Sequence, residues 1–162
     1  MDAMSHALVG VAIATAGRYG VQESALVVAF SVLPDIIQIP LYLRVGRGSG
    51  RMLWIPKDVD WEGFRNKHPG WSAFFDIPHS LFFLIPIFLV IAWLHLPPIF
   101  LFVYLVHIIL DVFTHQGEWK VKLFYPINIS INGIANAWSW SYKKMIASWA
   151  ILAALIYLLK IL

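Results

Sequence analysis

The chain has no cysteine. That excludes disulfides and thiolate metal sites, so any bound metal must take nitrogen and oxygen ligands. Charge is scarce as well: Asp, Glu, Lys and Arg make up 13% of the 162 residues, against roughly a quarter in an ordinary globular domain. The formal net charge is only +3, and the basic residues sit beside apolar segments. They read as membrane-surface and topology signals, and no nucleic-acid partner is expected. No internal repeat and no low-complexity linker interrupts the chain.

What is abundant is apolar surface, at 60% of residues. This composition predicts an integral membrane protein, a single domain over residues 1–162 built as an all-α, multi-pass helical bundle with about four or five membrane-embedded helices. The first apolar run, "HALVGVAIATAG" from His6 to Gly17, is shorter than the roughly 20 residues needed to cross a bilayer core. The preceding "MDAMS" lacks the positive charge of a secretory signal. Gly17 and Gly20 suggest a turn, and Ser24 to Leu43 is long enough to cross, with a break expected at Leu33–Pro34 and a second proline at Pro40. A third segment is expected over Ile77 to Leu96 and a fourth over Ile99 to Thr114, joined by a tight "HLPP" hairpin. A last segment is expected over Met145 to Leu162.

Two polar interfacial loops, about 44–75 and 115–144, separate these segments. Between Arg44 and Gly70, Lys and Arg outnumber Asp and Glu six to three. Trp54, Trp61 and Trp71 in that stretch suit the headgroup level. The second loop carries Lys120, Lys122, Lys143 and Lys144 against Glu118 alone. The positive-inside bias places both loops on the cytoplasmic side and the hairpin between them outside.

Against this background His6, Asp35, His79, His107 and Asp111 stand inside or at the edge of apolar stretches. Each costs several kcal/mol there unless paired, hydrated or metal-bound. In "VHIILDVFTH" the residues His107, Asp111 and His115 recur every fourth position, which on a helix puts them on one face with a drift of about 40° per step. The expected topology returns all five elements to one depth. Blander readings exist: His68 and His95 suit ordinary hydrogen bonds, Asp35 can cap a helix, and Asp76 or His79 can open one. His107 with Asp111 is harder to dismiss, because the fourth segment has no Lys or Arg to neutralise the carboxylate. A metal is the expected partner.

"SHALVG", "LPD", "PHSLFF", "HIILDVFTHQG" and "LFYP" occur here in the order that resembles the YdjM-like family of small, multi-pass inner-membrane metal-dependent hydrolases. That family is placed near the zinc-dependent phospholipase C and single-strand nuclease group. The resemblance covers residues 5 to about 126 and implies His6, Asp35, His79, His107 and Asp111 as metal ligands, with His115 a further candidate. It departs at Phe74, where relatives have an earlier histidine, and at Ile36 and Ile37, where many carry a second acid. Those departures imply either a site with fewer metals or Asp76 as a substitute ligand.

Mixed imidazole and carboxylate ligands suit a divalent metal, zinc first. Ser5, Ser80, Thr114 and Gln116 are the candidate groups for holding the imidazoles from behind. Hydrolysis is the expected chemistry, with Asp35 or Asp111 as proton acceptor. Arg44, Arg47, Arg51, Arg65 and Lys67 lie above the cluster and suit an anionic headgroup, so the expected partner is membrane lipid and the expected substrate a phosphoester or phospholipid. The competing class is a non-catalytic membrane scaffold whose cluster or metal is structural, or which binds a protein through its Trp-rich loop.

Overall fold

The computed structural model describes residues 2–48, 61 and 63–162, and among them regular structure is helical. The extended chain pairs at one isolated bridge, Val121 with Ile131. α1 spans Ala3–Ala16 and starts at Asp2, whose carboxylate accepts hydrogen bonds from Ser5 N at 2.9 Å and Ser5 Oγ at 2.7 Å. After the expected turn α2 runs Val21–Ile37, its start held by Glu23, which accepts from Gly20 N at 3.2 Å.

The helix does not break at Pro34. α2 continues through it to Ile37, and α3, Ile39–Gly48, follows after Gln38. Pro34 is buried, so tertiary packing offsets the missing amide. Pro40 lies in the first turn of α3, where no intrahelical donor is lost.

α4 (Phe64–Lys67) and α5 (Pro69–Asp76) precede the expected third segment, which is not one helix. Ile77–Ser80 is a turn, Leu81–Phe83 a 3₁₀ turn, and α6 covers Leu84–Trp93. Pro78 explains the break, since it restricts Ile77 and cannot donate into a helix continuing from α5. Leu123 O accepts from Leu81 N at 2.8 Å and from Ser80 Oγ at 3.2 Å, so the 121–125 strip fills the gap. α7 is Ile99–Thr114, as the sequence predicts, and α8 is Tyr142–Ile161.

By length and composition two helices can cross a membrane: Val21–Arg47 with 27 residues and α8 with 20. A third is added if α5 and Leu81–Trp93, bent by 62°, form one broken span. That is fewer than the four or five the sequence predicts. α1 with 14 residues and α7 with 16 are about 21 Å and 24 Å long, short of a core of about 30 Å.

α1 packs on α2 and α8, α2 on α7, and α6 on α7. A Cβ on Gly10 of α1 would stand 2.5 Å from Ser31 Oγ and 3.1 Å from Val28 Cα, so the close approach of α1 to α2 requires glycine. The interior has two apolar clusters. One holds Ala14, Val27, Ile87, Ile91, Phe100, Val103, Tyr104 and Ile108; the other, formed by α3, α5 and the strip after α7, holds Leu41, Val45, Trp61, Phe75, Trp119 and Val121. The polar cluster lies where they meet. α8 has no buried residue and shows Ile146, Ile151, Leu155, Leu158 and Ile161 outward, a face suited to lipid.

Candidate metal centre

Asp111, on the last turn of α7, is the hub. Its Oδ1 accepts from His6 Nε2 of α1 at 2.9 Å. Its Oδ2 lies 3.0 Å from His79 Nε2, in the turn after α5, and 3.3 Å from His107 Nε2, one turn earlier on α7. The nitrogens of His79 and His107 are 3.3 Å apart. The His6 and His107 rings stack at 3.6 Å, and Phe75 stacks on His79 at 4.4 Å. His6, His79, His107 and Asp111 are each at most 1% exposed.

His115 joins this group. The sequence places it at the aqueous end of the helix, but it is 2% exposed. Its Nδ1 lies 3.0 Å from Asp111 O and 3.5 Å from Asp111 Oδ1. The reason is that the chain folds back over the end of α7: Gly133 N donates to His115 O at 2.9 Å, and Ile134 N and Ala135 N donate to Phe113 O. A Cβ on Gly133 would stand 2.7 Å from three carbonyl oxygens, so only glycine permits this cover. Burial pushes the His115 imidazole down to about 3 against the pull of Asp111, which keeps it neutral at pH 7.

Asp35 is half-buried beside the group. Gln38 Nε2 donates to its Oδ1 at 2.6 Å, whereas its Oδ2 is buried with no hydrogen-bond partner. Asp76 is drawn elsewhere, to Arg65 and, at 3.3 Å, to Lys122 Nζ. A carboxylate neutralised by two cations is not a substitute ligand here. Arg65, expected to face lipid headgroups, is 7% exposed. It donates to Asp76 and to the carbonyls of Glu118 and Lys120, and burial pulls its pKa below the usual value while Asp76 opposes the shift. Trp61 packs edge-on against Tyr42 and Trp119 and is not at the surface. Trp54 and Arg51 lie outside the described residues. His95 is exposed, and His68 packs at a tilt against Phe64, so neither enters the cluster.

The groups expected to hold the imidazoles do other work. Ser5 binds Asp2, Ser80 binds the Leu123 and Tyr125 carbonyls, Thr114 the Leu110 carbonyl, and Gln116 the Gly133 carbonyl. Main-chain oxygens replace them: Phe75 O accepts from His79 Nδ1 and Ser31 O from His107 Nδ1, both at 2.7 Å. No side-chain pattern marks a carbonyl as such a partner, although Phe75 stands at i−4 from His79 in the turn leaving α5.

Those two bonds decide the tautomers. A carbonyl only accepts, so in each neutral ring Nδ1 carries the proton and Nε2 the lone pair. Two lone pairs and a carboxylate oxygen therefore converge with mutual distances of 3.0, 3.3 and 3.3 Å. Three acceptors in a dry interior repel unless a cation or proton lies among them. Ligands about 2.0–2.1 Å from a tetrahedral zinc are themselves about 3.3 Å apart, so the spacing matches. His79, His107 and Asp111 fit a divalent ion. His6, Asp35 and His107 form a second group whose ligand atoms lie within 4.8 Å of one another.

The apolar helices around a buried imidazole and carboxylate cluster define a small helical integral membrane protein. Comparison with known families makes this specific: the family described as YdjM inner membrane protein matches residues 1–162, and the chain belongs to it. The inner membrane is accordingly its location. No curated protein and no solved structure matches the chain.

Proposed function

We propose that this protein is a membrane-bound metal-dependent hydrolase, with zinc as the natural ion and a phosphoester or lipid-like molecule as substrate. The observation that carries the reading is the convergence of His79 Nε2, His107 Nε2 and Asp111 Oδ2 as three mutually facing acceptors in a dry pocket. A divalent ion held there supplies Lewis acidity to an ester or phosphoryl oxygen. The chain's own residues do the rest. Phe75 and Ser31 carbonyls hold the two imidazoles in the ligating tautomer. His6 donates to Asp111 Oδ1 and so restrains the carboxylate.

The two aspartates expected to share catalysis divide. Asp111 has imidazoles at both oxygens and is enclosed, which suits a ligand. Asp35 keeps an uncommitted oxygen at the one part of the cluster that is not sealed. Beside it Ile36 and Ile39 are each 48% exposed on a helix apolar enough to span. An approach from the lipid side passes these residues, which supports a lipid-like substrate. Arg44 and Arg47 further along α3 supply positive charge for an anionic headgroup.

The test is turnover of phosphodiester and phospholipid substrates by the detergent-purified chain, with and without chelator. Chelator-sensitive turnover, lost in Asp111→Asn and His107→Ala while the metal-free fold is retained, is the expected result. A second reading, a purely structural metal, is favoured by the near-complete enclosure of five of the six residues. It predicts a bound metal, a lowered unfolding midpoint on chelation, and no turnover across the substrate panel.

A further inference from the structure

The second ligand group does not share an ion with the first. His107 belongs to both groups by distance, but it has one ring nitrogen to give: Nδ1 is committed to Ser31 O, and Nε2 faces His79 and Asp111. What remains is His6 with Asp35. His6 Nε2 lies 2.9 Å from a carboxylate oxygen, so in the neutral ring Nε2 bears the proton and Nδ1 the lone pair. That Nδ1 is buried with no hydrogen-bond partner.

Asp35 Oδ2 is orphaned in the same way, and so is Oε1 of Gln38, whose amide nitrogen holds Asp35 Oδ1 at 2.6 Å. Among the described residues four buried side-chain atoms lack a partner, and three of the four belong to neighbouring residues: His6 and Asp35 bring ligand atoms within 4.8 Å of one another, and Gln38 is hydrogen-bonded to Asp35. All three are acceptors. An unpaired buried acceptor costs about 1–3 kcal/mol, and three together call for one shared positive partner. Among the described residues no Lys or Arg is paired with Asp35 or Gln38.

We propose that His6 Nδ1, Asp35 Oδ2 and Gln38 Oε1 form a second divalent-cation site beside the His79, His107 and Asp111 site, and that this second site is the exchangeable one. Its donor set, one imidazole, one carboxylate and one amide oxygen, is harder than that of the first and suits manganese or zinc. Asp35 is the one half-buried member, at the unsealed corner, whereas every ligand of the first site is at most 1% exposed. Exchange with solvent and contact with an entering ligand therefore fall to the second ion. The inference rests on the metal reading above and adds Gln38, which that reading does not use.

Metal content of the detergent-purified full chain after manganese or zinc loading and desalting tests it. Two equivalents per chain are expected, one removed quickly by a mild chelator and one slowly. Asp35→Asn should lose the fast equivalent and keep the slow one, His79→Ala the reverse. Gln38→Glu adds charge at the same place and should tighten the fast equivalent at least tenfold; a glutamine that serves only the fold would not move it. Saturation at one equivalent in the unaltered chain, or an unchanged fast equivalent in Asp35→Asn and Gln38→Glu, overturns the second site and leaves the first standing. No bound metal at all would instead overturn the metal reading itself.

Discussion

Arg65→Met isolates the ion pair that ties α4 to the end of α5 and to the strip after α7. Arg65 is enclosed between the rings of Phe75 and Trp119, at 5.7 Å from each, and donates to Asp76 and to two carbonyls of the strip after α7. Removing one member of a buried pair leaves the other charge uncompensated, a cost of about 3–5 kcal/mol. Lys122, 3.3 Å from Asp76 and still 24% exposed, can follow the carboxylate. The loss should thus fall near the lower end, about 3 kcal/mol, or roughly a hundredfold in the unfolding equilibrium. The double variant Arg65→Met with Asp76→Leu removes both charges. The two part-buried carbonyls then lose their donor and Lys122, 24% exposed, turns to solvent, so the loss should shrink to about 1–2 kcal/mol. Denaturant unfolding in mild detergent, followed by tryptophan fluorescence, reads both. A single-variant loss under about 1 kcal/mol, or a double variant no better than the single, refutes the latch. Binding to anionic vesicles should be unchanged in either, because Arg65 does not reach the surface.

Gly10→Ala should lower the unfolding midpoint: overpacking against Ser31 and the Val28 backbone costs about 1–3 kcal/mol, more than the helix-propensity gain of about 1 kcal/mol. A raised midpoint would show that α1 and α2 are not in limiting contact. Burial pushes the Asp2 carboxyl up, but hydrogen bonds from Ser5 and Trp149 outweigh it and hold the pKa below its usual value. A depressed acid stabilises the fold fully above its unfolded pKa, near 4, and loses that contribution as pH falls further. Acid titration of the midpoint should therefore drop below pH about 4 in the parent and less in Asp2→Asn; equal slopes count against the cap. Single cysteines replacing the exposed Arg47 and Asn128 should label from the same side of a sealed vesicle, and labelling from opposite sides contradicts a shared side for the two polar loops.

The strongest sequence signals were those in which one helix carries its own pattern. His107 and Asp111 share a face because they are four residues apart, and no cation nearby on α7 competes. α7 itself appears with its predicted bounds, since a long unbroken apolar run leaves little choice. Other features depended on partners distant in the chain. Asp76 reads as a plausible ligand in the sequence, but Arg65, 11 residues earlier, and Lys122, 46 later, claim it in the fold. His115 reads as aqueous because nothing in "VFTHQG" announces that Gly133 covers it. Pro34 reads as a break because the local rule is sound, and burial overrides it. The spans are fewer than the sequence predicts because α1 and α7 are apolar but too short to cross, and because the third segment bends by 62° about the turn at Pro78.

The acceptors that orient His79 and His107 belong to the main chain of Phe75 and Ser31. No replacement at position 75 or 31 deletes either oxygen, so a scan of side chains around this cluster would pass over half of what aims it. The aim is set by the path of two helices, and the side chains at these positions serve packing instead: Phe75 stacks on His79, and Ser31 stands against Gly10. To turn those rings one would have to move the backbone, for example by shortening the link between α5 and α6 by a residue. The tautomers of this site are thus a property of the fold before they are a property of any residue within it.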